Sequence, residues 1–148
     1  MANGRWRDPG LEGWSRVAPW LCPPDDEVEL LATVEAMARE ASGFEGLCGP
    51  GWRTSMPGAN PERRNAPAWI DAEKAVLIAV NKSLGSDLGV VLDMRADGPN
   101  PRVLASVYVD AHPLTETESR SLQDGDVHLW REVSPTLRAF LQRVGLLD

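Results

Sequence analysis

The sequence is short of cysteine, histidine and long hydrophobic runs, and each shortage removes a class of protein. Cys22 and Cys48 are its only cysteines, and His112 and His128 its only histidines. They form no Cys-x-x-Cys pair and no ligand-like spacing, so neither a redox centre nor a structural zinc site is expected. The two cysteines read as thiols, small semi-apolar side chains. The longest apolar run, Ala75 to Val80, falls far below the roughly 18 residues of a membrane span. The first residues, Met1-Ala2-Asn3-Gly4-Arg5, lack the apolar stretch of a signal peptide, so the expectation is a cytoplasmic chain without a membrane partner. Positive charge is scarce as well. Fifteen Lys and Arg stand against 22 Asp and Glu, for a net charge of −7. Arg53, Arg63 and Arg64 are too few and too diluted to track phosphates, so no nucleic-acid partner is expected. An acidic balance suits a basic partner instead.

Catalytic motifs are missing too. There is no P-loop, no Gly-x-Gly-x-x-Gly, no Gly-x-Ser-x-Gly and no His-Glu-x-x-His. Cys48 with a histidine as base has nothing local to support it. Asp71, Glu73 and Asp93 are the carboxylates nearest the predicted sheet. Asp93 is expected to satisfy a strand end, or to pair with an arginine such as Arg131, rather than to work as an acid or base. The chain is therefore expected to be no enzyme and to need no cofactor or metal.

What is present is an ordinary globular composition. Over 148 residues, 43% are hydrophobic and 25% charged, which fits one domain spanning 1–148. Residues 1–24 read as an irregular arm, with Trp6, Trp14 and Trp20 packing it onto the domain. Asp26 as N-cap and Glu29 three residues later predict a helix, with Leu30, Val34, Met37 and Ala41 as its buried stripe and Ser42-Gly43 as its end. Residues 43–68 are a Gly/Pro-rich loop, with Trp52 among its few apolar side chains.

Strands are expected next, near 75–80, 88–94, 102–109 and 127–133. The first is continuously apolar, as in a strand covered on both faces. The third alternates, with Val103, Ala105, Val107 and Val109 on one face and Leu104, Ser106 and Tyr108 on the other. Short turns between them imply an antiparallel meander. The connection 110–126 is polar, with Thr115 to Leu122 as a candidate short helix. A closing helix over 134–144 starts at Ser134-Pro135, buries Leu137, Phe140, Leu141 and Val144, and stops at Gly145, where Leu146 folds back. The fold class is thus α+β: a mainly antiparallel central sheet flanked by an N-terminal and a C-terminal helix.

Four of these pieces also carry a family resemblance. They are Trp69-Ile70-Asp71 leading into Val76-Leu77-Ile78-Ala79-Val80, Gly89-Val90-Val91-Leu92-Asp93-Met94-Arg95, Pro101-Arg102-Val103-Leu104-Ala105, and Trp130-Arg131-Glu132-Val133-Ser134-Pro135-Thr136-Leu137-Arg138-Ala139-Phe140-Leu141. In order and spacing, residues 69–146 resemble the C-terminal half of a SUKH-superfamily (Smi/Knr-like) domain. The group includes bacterial immunity proteins. The resemblance implies a non-enzymatic domain that binds a protein partner, such as a basic toxin domain, and neutralises it. Two alternatives stay open: a regulatory or scaffold domain of the same fold without a toxin partner, and a small enzyme with a dispersed site. The chain's oligomeric state is not legible.

The expected contact surface is the acidic connection, where Asp110, Glu116, Glu118, Asp124 and Asp126 face Arg120 alone. Acids early in the first helix are explained by the helix dipole, whereas those of the connection are not. Trp52 is the expected apolar neighbour, because loops and aromatic anchors carry contacts more often than packed elements do.

Overall fold

The computed structural model describes residues 10–21, 28–47, 74–81, 89–95, 99–110, 112–122 and 128–148. Five strands, β1 (Val28–Leu30), β2 (Ala75–Asn81), β3 (Gly89–Asp93), β4 (Arg102–Tyr108) and β5 (His128–Ser134), form one sheet in sequence order, and every neighbouring pair is antiparallel. Among the described residues, helices α1 (Gly10–Val17), α2 (Val34–Leu47), α3 (Glu116–Ser121) and α4 (Leu137–Arg143) accompany it. The fold is α+β, with a meander flanked by N- and C-terminal helices.

The sheet is buried on both faces, which explains why β2 reads as a continuous apolar run. On one face Val28, Ile78, Val90, Val103 and Ala105 pack with Trp14 and Val17 of α1 and with Phe140 and Leu141 of α4. On the other face Leu77, Val80, Val91, Leu104 and Trp130 pack with Leu31 and with Ala36 and Met37 of α2. A bulge between Leu77 and Ala79 breaks the two-residue alternation. Through it, Ile78 and Ala79 both join the first cluster while Leu77 and Val80 lie in the second. Side chains as large as Trp14, Trp130 and Phe140 are almost wholly buried. Each contributes roughly 1.5–3 kcal/mol or more from the area removed from water.

The closing helix follows its sequence signals with one shift. Ser134 still belongs to β5, opposite Val103, and its hydroxyl donates to the Thr136 carbonyl. Thr136 is the N-cap, accepting from the Ala139 amide at 3.1 Å. At the other end Gly145 takes φ 80°, its amide donates to Gln142 O, and Leu146 N donates to Leu141 O. That left-handed glycine turns Leu146 back onto the core.

The N-terminal part departs from expectation twice. Within the arm read as irregular, residues 10–17 are helical, and Trp14, Val17, Ala18 and Leu21 make a stripe at helical spacing. Gly10 and Gly13 obscured it. Farther on, Val28–Leu30 is an edge strand rather than the start of a helix, with Leu30 opposite Ala79. Val28 and Leu30 fit a period of two as well as a helical stripe, and pairing with β2 decides for the strand. The helix cap is Thr33, whose hydroxyl accepts from Ala36 N at 3.0 Å. Val34, expected in the buried stripe, is 75% exposed. Helix α2 then continues past Ser42-Gly43 to Leu47, into the segment read as loop.

Candidate functional site

The acidic connection begins at the end of β4. Asp110 lies in the turn after Tyr108 and is exposed. Half-buried Leu114 and Leu122 pack at Val107 and Leu129, fastening residues 112–122 to the sheet at two points. Between them lies α3, and its start is fixed by a reciprocal cap. The Thr115 hydroxyl accepts from Glu118 N at 3.1 Å, while the Thr115 amide donates to Glu118 Oε2 at 2.8 Å. Such a box satisfies two of the donors that a helix start leaves open.

Glu118, expected with the surface acids, is turned inward and is 9% exposed. Its carboxylate takes a two-pronged contact from Arg131 of β5: Nε to Oε1 at 2.7 Å and Nη2 to Oε2 at 2.8 Å. Arg131 also donates to the Pro113 carbonyl at 3.2 Å. The guanidinium carbon stands 4.9 Å from the centre of the Trp20 ring, a cation–π contact. The Trp20 indole N–H donates to Ser106 O at 2.9 Å, and the His112 ring leans on Trp20 at 6.5 Å. One guanidinium therefore joins the turn that follows α1, the acidic connection and β5. Hydrogen bonds from Arg131 hold the Glu118 carboxyl below the ordinary carboxylate range, outweighing the opposite effect of burial, and the Thr115 amide adds to them.

Glu116 is exposed and pairs with Arg120 one turn on. The negative charge of the connection is accordingly smaller than a count of its carboxylates indicates, because Arg131 reaches in from the sheet. Asp124, Asp126 and Trp52 lie outside the described residues.

A second charged cluster lies on the opposite face. Asp93, 1% exposed, accepts from Arg95 Nε at 2.9 Å and Nη2 at 2.7 Å, and from Arg102 Nε at 2.7 Å. Arg102 Nη1 continues to Glu132 at 3.3 Å. Burial raises the Asp93 pKa, but the hydrogen bonds from Arg95 and Arg102 together outweigh it and hold the carboxyl below its ordinary value. Asp93 thus satisfies a strand end, as expected. Its partners are Arg95 and Arg102, whereas Arg131 points to the other face, opposite Ala105. Cys22, Cys48, Asp71 and Glu73 lie outside the described residues.

A cavity of about 110 Å³ opens between α2, α4 and the sheet, with Leu31, Met37, Ile78, Leu137, Phe140 and Leu141 among its walls. The side chains that line it are all apolar, so it offers a ligand shape but no polar side chain to hold one.

No family model, curated protein or solved structure matches the chain. The residues themselves carry the functional reading.

Sequence reasoning missed the hub formed by Arg131 and Trp20. The Thr115-x-x-Glu118 pattern announces a capping box, and with it a carboxylate bent back toward the helix start. The pairing with Arg131 depends on how β5 lies beside the connection, which no local pattern encodes.

Proposed function

We propose that this chain is a non-catalytic protein-binding domain of the immunity-protein type, which engages a basic toxin domain through its acidic connection and blocks it in the cytoplasm. The observation that carries the reading is the form of that connection. It is a capped helix clipped to the sheet, and it displays Asp110 and Glu116 outward on a chain of net charge −7. While clipped to the sheet, this surface is held in one conformation and loses little freedom on binding. Exposed acids raise the encounter rate with a basic partner. The resemblance of residues 69–146 to SUKH domains supports the same reading. So does the chemistry of Asp93 and Glu118, whose carboxylates are occupied by guanidinium groups rather than poised for proton transfer.

The experiment is capture of the partner from the source cell, identification by mass spectrometry, and association kinetics across a salt series. Replacing Asp110, Glu116, Asp124 and Asp126 by their amides is expected to slow association about tenfold or more at low salt and to flatten its salt dependence. An unchanged rate and slope would remove the connection from the contact.

A further inference from the structure

We infer that residues 112–122 are a strap that opens from the sheet as a unit while the five strands stay paired, and that the Glu118–Arg131 contact is its latch. The apolar hold on the strap is small. Leu114 and Leu122 are both only half-buried, whereas β2 to β5 are sealed between two apolar clusters. A segment with few buried apolar contacts occupies the low end of a protein's local stabilities. The described hydrogen bonds that tie the strap to β5 come from Arg131, which donates to both oxygens of Glu118 and to the Pro113 carbonyl.

Opening does not strand the other half of the latch. Arg131 belongs to β5 and rests on the Trp20 ring, which is fixed to Ser106 O. Its side chain is already 23% exposed. When the strap lifts, the guanidinium keeps its aromatic contact and meets water, so the cost of separating the charges is moderated. Off the sheet, a helix of six residues is too short to hold itself in water, so the bonds of the Thr115, Glu118 and Ser119 amides open to exchange once the strap lifts.

The strap bears Glu116 of the surface proposed above, so any role of the latch in binding rests on that reading, but the test needs no partner. Native-state hydrogen exchange is followed at the amides of Thr115, Glu118 and Ser119, the last donating to Thr115 O at 2.9 Å, and at the amides of β3 and β4. In sub-denaturing urea, the β3 and β4 amides are expected to exchange faster as urea rises, because their opening exposes the core, while the strap amides stay nearly constant. Glu118→Gln is expected to speed exchange of the strap amides about tenfold or more, the factor for losing a charge-assisted hydrogen bond. Strap and sheet amides responding to urea with the same slope would overturn the inference, since the strap would then open only with the whole fold. Unchanged strap exchange in Glu118→Gln would overturn the latch.

Discussion

On one face of the sheet Asp93 is held by Arg95, just past the end of its own strand, and by Arg102 of β4; on the other, Glu118 reaches from the 112–122 segment to an arginine of β5. Both are buried carboxylates with a depressed pKa, and both are held by two-pronged guanidinium contacts. They differ in what they join. Arg95 follows Asp93 by two residues and Arg102 is its cross-strand partner, so that cluster locks the β3–β4 register. The Glu118–Arg131 pair joins a separate segment to the sheet. Consecutive residues of β5 serve the two clusters, since Arg131 faces one side and Glu132 the other. The comparison teaches that a buried ion pair can serve register in one place and attachment in another, according to which elements own its two ends.

The largest effect is expected from Asp93→Ala. Removing the carboxylate takes the shared counter-ion from the neighbouring Arg95 and Arg102, while Arg102 keeps its contact with Glu132, at a cost of about 2–4 kcal/mol. That lies below a fully buried pair because Arg102 can turn to water. A urea melt measures the loss. Exchange at Ser119 sharpens the contrast: in Asp93→Ala the sheet amides should speed up while the strap amides keep their rates, since the Asp93 cluster survives strap opening. Equal acceleration of both would merge the two regions into one cooperative unit.

Acid gives a second, intermediate effect. Protonating either carboxyl in the folded chain breaks guanidinium bonds that the unfolded chain lacks. Their contribution is therefore complete above the ordinary values of 3.8 for Asp and 4.5 for Glu, and is lost as pH falls through the lower folded values. Stability measured by urea titration should decline as pH falls below about 4. Asp93→Ala and Glu118→Gln should each remove part of that decline, and a decline unaltered in both variants would assign the acid sensitivity elsewhere.

The smallest effect is expected from Glu116→Gln. Its pair with Arg120 is solvent-exposed at both ends, so stability should change by no more than about 0.5 kcal/mol. A larger loss would mean that the strap's surface charge is structural rather than available to a partner.

The two regions were unequally legible in the sequence. Around Asp93, apolar runs separated by turn residues reveal β2, β3 and β4, and the closeness of Asp93 to Arg95 and Arg102 follows once the meander is drawn. Around Glu118 only the helix and its capping pattern are local. Arg131 is 13 residues away and Trp20 comes from the far end of the chain. The N-terminal part misled for a related reason. Asp26 and Glu29 imitate a capping box, yet Val28 to Leu30 joins the sheet edge, where pairing outweighs the local signal. Helix α1 was hidden by glycines whose effect Trp14 and Leu21 offset through burial.

The most direct test of the account is hydrogen exchange of the whole chain with and without the captured partner. Added protection should concentrate in residues 110–122, with the amides of β2 and β3 unchanged. Protection confined to other segments, with the strap amides exchanging as in the free chain, would contradict the claim that this acidic segment is the binding surface.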